Sequence, residues 1–122
     1  MRHFDWLDGI LHCEQISLED IAKLFSTPCY VYSQKTIEEN YLTLKTALEK
    51  YGLRTQIHFA LKANSNFHIL KCLSDLKAGG DIVSQGEMMR AQQAGIKAET
   101  LVFSGVGKMD SEIAAALKQN IG

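Results

Sequence analysis

Lys62 stands directly behind an apolar stretch, His58-Phe59-Ala60-Leu61, and ahead of Ala63-Asn64-Ser65-Asn66. The first run has the composition of a strand. The second reads as a turn that caps a following helix, because short amide and hydroxyl side chains satisfy the free amides of a helix start. Lys62 is therefore expected at the carboxyl end of a strand, which in a β/α barrel is the catalytic face. A lysine rooted in an apolar strand is expected to be partly desolvated, which lowers its pKa and frees a neutral amine to attack an aldehyde. Position alone does not separate this from a surface lysine that closes a strand.

Two acidic residues follow in Gly79-Gly80-Asp81-Ile82-Val83-Ser84-Gln85-Gly86-Glu87. Read plainly, Asp81 closes a strand, Ser84 caps the next helix, and Glu87 sits where a helix amino terminus favours negative charge. Gly105-Val106-Gly107-Lys108 suggests a phosphate loop, but a Walker motif needs glycine at Val102 and serine or threonine at Met109. Lys108 is left as a loop residue of the catalytic face or a solvated one. His3, His12, His58 and His68 lack the spacing of a ligand set, and no metal is expected. Cys13, Cys29 and Cys72 are odd in number and far apart, so reduced and mostly buried thiols are expected. Met88 and Met89 are expected to fill core.

The elements that must position these residues fit a globular chain. It has 122 residues, 46% hydrophobic and 22% charged, with a formal net charge of -1. That composition is far from disorder and offers no field for nucleic acid or an anionic membrane. The amino terminus interleaves charge with apolar residues and carries no run long enough for a signal peptide or membrane span, so a cytoplasmic protein is expected.

A short strand over 9–13 comes first, then Ser17-Leu18-Glu19-Asp20 matches a helix-start box ahead of Ile21, Leu24 and Phe25. Thr27-Pro28 ends that helix, and Cys29-Tyr30-Val31-Tyr32 reads as a strand. Ser33 caps a helix whose Ile37, Tyr41, Leu44, Leu48 and Tyr51 form one apolar stripe, closed by Gly52. Strands are then expected over 56–61, 81–83 and 101–103, with helices over 66–76, 86–94 and 110–119. Gly79-Gly80 and Gly95 are placed at helix ends, where a left-handed conformation is wanted. Asp110-Ser111-Glu112 supplies the last helix with its cap. Strict alternation of short apolar strands with amphipathic helices implies a parallel sheet covered by helices. Four units, counted from the strand at Tyr30, suit half of a TIM-type (β/α)8 barrel, so one domain, cut short, is expected.

The stretch Phe59-Ala60-Leu61-Lys62-Ala63-Asn64 resembles the FALKAN-type motif of fold-type III pyridoxal-phosphate decarboxylases, whose barrel is of the alanine racemase-like kind. Gly80-Asp81-Ile82-Val83-Ser84-Gln85-Gly86-Glu87 and Phe103-Ser104-Gly105-Val106-Gly107-Lys108 resemble two further segments of that family, and Thr27-Pro28-Cys29-Tyr30-Val31-Tyr32 resembles its entry to the first barrel strand. The resemblances run in order over residues 27 to 118. Ala63-Asn64 after the lysine, with the segments that follow, resembles the branch that converts meso-2,6-diaminopimelate to L-lysine and carbon dioxide in lysine biosynthesis.

The resemblance implies that Lys62 holds pyridoxal 5'-phosphate as a Schiff base. It also implies that Asp81 and Glu87 lie near the cofactor and that small Ala60 leaves room for its ring. The family's phosphate loop, its acidic partner for the pyridine nitrogen, a substrate-binding arginine and a cysteine acting across a homodimer interface fall later than Gly122, so these residues alone are expected to be inactive. Residues 1–26 are expected to associate with a second, β-rich domain, with Phe4 to Cys13 having no strand partner here, and 27–122 to form the first half of the barrel. Alternatives are a decarboxylase of another basic amino acid, an alanine racemase, a non-catalytic pyridoxal-phosphate carrier and a pure interaction module. The segment Val83-Ser84-Gln85-Gly86-Glu87 disfavours the racemase.

Overall fold

The computed structural model describes residues 3–122. It forms two compact units, one up to Asn40 and one over Tyr41–Gly122. Among the described residues no helix is long and apolar enough to cross a membrane.

In the first unit, β1 (Phe4–Leu7) and β2 (Ile10–Cys13) pair antiparallel with Leu7 opposite Ile10. The two residues between them, Asp8 at φ 48° and Gly9 at φ 79°, both have positive φ. This is the arrangement whose twist suits a two-residue hairpin, and Asp-Gly is its strongest sequence signal. The expectation that the strand near residues 9–13 lacks a partner is thus corrected. β3 (Ile16–Ser17) adds a third strand beside β2. Ser17 caps α1 (Leu18–Phe25) as expected, its hydroxyl accepting from the Asp20 amide at 3.0 Å.

Residues 29–32 are corrected too. They pair with no other strand among the described residues, and Tyr30 is 92% exposed. β-branched and aromatic composition describes a fit to a pleated, half-covered surface, not a backbone that becomes a strand unaided. Ser33 caps α2 (Gln34–Lys50), accepting from the Thr36 amide at 3.1 Å. Of the apolar stripe on α2, Tyr41 is buried and Ile37 and Leu48 half-buried, but Leu44 and Tyr51 are exposed. Periodicity marks the face that could be covered, not the presence of the cover.

Glu14 ties the hairpin to the start of α2. One of its oxygens accepts from the Ser33 hydroxyl at 2.9 Å and from the Lys35 amide at 3.1 Å. The Lys35 amide, then the Ser33 hydroxyl, hold its pKa below the ordinary 4.5. A depressed native pKa contributes stability above the unfolded value and loses it as pH falls through the native one. Glu14→Gln should therefore cost up to about 1 kcal/mol at neutral pH, a modest figure because solvent screens this carboxylate. Thermal melts of both proteins should converge as pH drops below 4.5. A gap that persists at low pH would show that the Glu14 charge is not the cause.

The second unit is a parallel sheet in the order β4 (His58–Ala60), β5 (Gly79–Ile82), β6 (Leu101–Phe103). The register sets His58, Phe59 and Ala60 beside Gly79, Gly80 and Asp81, and Gly80, Asp81 and Ile82 beside Leu101, Val102 and Phe103. Helices α3 (Phe67–Asp75), α4 (Gln85–Gln93) and α5 (Asp110–Lys118) follow the strands in turn. Because side chains alternate along a strand, Phe59, Gly80, Ile82, Leu101 and Phe103 share one face. There Ile82, Leu101 and Phe103 join Leu61, Leu70, Met88, Ala91 and Ala116 in the buried core, against which Phe59 packs. The opposite face carries His58, Ala60, Gly79, Asp81 and Val102. Met88 fills the core as expected, whereas Met89 is 53% exposed.

Two helix ends divide differently from expectation. Gly95, at φ 91°, closes α4 as expected, its amide bonding to Gln92 O and the Ile96 amide to Ala91 O. After α3 the left-handed position is held by Lys77, at φ 65°. Gly79 and Gly80 instead lie inside β5, where a Cβ on Gly79 would stand 2.5 Å from the backbone oxygen of Thr100. Glycine is needed there for close approach rather than for its dihedral freedom.

Candidate cofactor site

The β4 ladder ends at Ala60, and the chain turns at once into a single 3-10 turn, Leu61–Ala63. Leu61 is fully buried beneath the sheet, whereas Lys62 is exposed at its carboxyl edge. The expected strand-end position holds, whereas Lys62 is exposed rather than partly desolvated. The loop behind it is firmly built. Asn64 accepts from the Asn66 amide at 3.0 Å, and Asn66 caps α3 by accepting from the His68 amide at 2.9 Å. From α4, Arg90 donates to the carbonyl and hydroxyl of Ser65, each at 3.4 Å.

Ala60, Asp81 and Val102 form one row across the sheet, on the face away from the helices. Asp81 is half-buried, and its carboxylate accepts from the hydroxyl of Ser104, the residue just past β6. Ser104 was not singled out from the sequence. Its signal was the strand end itself, since the residue after each short parallel strand reaches the same rim as Lys62.

Glu87 is occupied locally. Its own amide donates to the Ser84 hydroxyl at 3.2 Å, and its carboxylate accepts from the Val83 amide at 2.8 Å. These bonds secure the turn from β5 into α4. Lys108 folds back onto its loop, donating to Gly105 O at 2.7 Å with its amine 5.3 Å from the centre of the Phe103 ring. Gly105 lets that loop close on the preceding one, because a Cβ there would lie 2.7 Å from Val83 O. The Asp110-Ser111-Glu112 segment supplies the capping side chain of α5 as expected: Met109 is the cap position, and its amide is met at 3.0 Å by the carboxylate of Glu112. Among the described residues Cys13, Cys29 and Cys72 form no disulfide, and they are buried, exposed and half-buried in that order.

The rim therefore brings Lys62, Ala60, Asp81 and Ser104 to one end of the sheet, with Glu87 engaged in the turn beside them. An accessible primary amine beyond a small residue and a fixed carboxylate suits a flat aldehyde cofactor. Ala60 adds little bulk to the row, and Asp81 places a carboxylate beside it. Parallel β/α units with a lysine at the carboxyl edge match the arrangement of a β/α barrel's strand-end rim.

The chain belongs to the pyridoxal-dependent decarboxylase family, matching its pyridoxal binding domain over residues 34–122. The family's cofactor is pyridoxal phosphate, and its barrel fold is shared by solved relatives. A diaminopimelate decarboxylase of Pseudomonas fluorescens is 45% identical over 121 residues, covering 99% of this chain and 29% of that protein. The crystal structure of diaminopimelate decarboxylase from M. jannaschi matches with a TM-score of 0.93 at 30% identity, over 98% of this chain and 29% of that one. The enzyme from Helicobacter pylori, solved in complex with L-lysine, matches with a TM-score of 0.73 at 45% identity, over 83% and 26%. The chain thus spans less than a third of the length of these relatives.

Proposed function

We propose that the complete protein carrying these residues decarboxylates meso-2,6-diaminopimelate to L-lysine and carbon dioxide, with Lys62 holding pyridoxal 5'-phosphate. The observation that supports this best is the placement of Lys62 just past Ala60, in a row with Asp81, within a chain 45% identical to a diaminopimelate decarboxylase. A relative captured with L-lysine fits the reading, because replacing one carboxylate of diaminopimelate by hydrogen leaves lysine. When bound, the cofactor accepts the electron pair left as the carboxylate departs as carbon dioxide.

The remaining work falls to this chain's side chains. Lys62 would anchor the cofactor, and its amine could carry a proton to or from the reacting carbon. Asp81, held by Ser104, presents a fixed negative charge on the open face of the sheet. Ala60 keeps that face low, and Glu87 steadies the turn beside it. We further propose a homodimer with sites at its interface and a cytoplasmic location, the latter from three cysteines that are odd in number and form no disulfide among the described residues.

Carbon dioxide release from meso-diaminopimelate, L-ornithine and L-arginine in the presence of pyridoxal phosphate tests the reading. Turnover should favour diaminopimelate by at least about a hundredfold, because a site built to pair a second carboxylate leaves buried groups unpaired with a substrate that lacks it. Preference for ornithine or arginine would replace this substrate assignment with a basic amino acid.

A further inference from the structure

Glu112 does more than begin its own helix. One carboxylate oxygen accepts from the Met109 amide at 3.0 Å, which is an ordinary helix-start bond. The other accepts from the Gln85 amide at 3.1 Å, 27 residues away, at the first residue of α4. That second bond crosses from one β/α unit to the previous one. It also completes a set: the amides of Val83, Gln85 and Glu87 are met by Glu87, Glu112 and Ser84 respectively. The two amides hold the Glu112 carboxyl below its ordinary range, the Met109 bond contributing most.

We propose that Glu112 is a positioning residue that locks the β5–α4 turn, with Ser84 and Glu87, to the β6–α5 loop, so that the rim bearing Asp81 and Ser104 is set as one body. Its consequence for cofactor binding rests on the function proposed above; the lock itself does not. Gly105 closes against Val83 O from the same loop, so the two segments are already in contact where Glu112 bridges them. A glutamine could not replace it fully. A carboxylate offers two acceptor oxygens to two amides, whereas a glutamine would turn its own NH2 toward one of them.

The tie can be cut from either side. Glu112→Ala removes both bonds. Gln85→Pro removes only the crossing bond, since proline lacks the amide proton, is tolerated at a first helical position, and follows Ser84, whose φ of -155° and ψ of 161° are extended. In the complete protein each change should weaken pyridoxal phosphate binding about tenfold, the scale of a lost hydrogen bond to a charged group. The double variant should bind no worse than Glu112→Ala alone. Amide exchange at Gln85 should also quicken about tenfold in Glu112→Ala and Glu112→Gln, while the Leu70 amide in α3 is unchanged.

Unaltered exchange at Gln85 overturns the lock. Additive losses in the double variant, or unaltered cofactor affinity in Gln85→Pro, overturn the positioning role. Should the wild-type protein bind no pyridoxal phosphate, the proposed function fails, while the exchange result still decides whether the lock exists.

Discussion

Borohydride reduction of the cofactor-loaded protein should fix a pyridoxyl group on Lys62, and Lys62→Ala should abolish both the label and the absorbance of bound cofactor. Activity should fall by at least about a hundredfold, the lower range for a lost proton-transferring group before counting the lost covalent anchor. The structure separates Lys62 from its rivals. Lys71 is paired with Asp75 on α3, and Lys108 is folded onto Gly105 O beside the Phe103 ring. Lys62 makes no hydrogen bond or ion pair among the described residues, and it alone of the three directly follows the Ala60–Asp81–Val102 row. Lys62→Arg should fail as fully as alanine, because it keeps the charge but not a free amine. Peptide mapping reads the result directly: a label on Lys71 or Lys108 would move the site elsewhere.

The placement of Lys62 was legible because the signals around it are local and mutually consistent. A short apolar run ends at Leu61, and Asn64 and Asn66 form the turn and cap their types suggest. Ser17, Ser33 and Ser84 likewise act as caps, since a short hydroxyl side chain competes for helix-start amides wherever it falls. What was missed depends on partners distant in sequence. Residues 29–32 have strand composition but no paired neighbour, and Lys62 is exposed because its covering depends on tertiary surroundings. Ser104 and Glu112 acquire their roles only once the register puts β6 beside β5. The hairpin is a different case, since Asp8-Gly9 is itself a local signal for a two-residue turn. Glycines 79 and 80 have the type that permits a left-handed helix end, but their constraint is the distance to β6.

That constraint predicts the largest stability effect in the sheet. A Cβ on Gly79 would lie 2.5 Å from Thr100 O and 2.8 Å from Nδ1 of the His58 ring. The first of these is backbone at the entry to β6, so it cannot rotate away. Gly79→Ala should force β5 off β6 near the Gly80–Leu101 pair and cost about 3 kcal/mol or more, at the upper end of overpacking effects. For a chain of this size that corresponds to a drop in melting temperature of roughly 10 °C. Gly80→Ala provides the internal comparison. Its Cβ would meet the tips of Leu101 and Leu61, at 2.8 and 3.0 Å, and such tips can shift rotamer. About 1 kcal/mol is expected there. Adjacent glycines should therefore differ by about 2 kcal/mol although both are fully buried in one strand, because one opposes backbone and the other opposes side chains. Gly79→Ala should also weaken cofactor binding, since Asp81 rides on the displaced strand, two residues on and on the same face. Thermal unfolding of the two variants decides the matter: equal melting temperatures, or Gly80→Ala as the less stable protein, would show that β5 and β6 have more freedom to separate than their register implies.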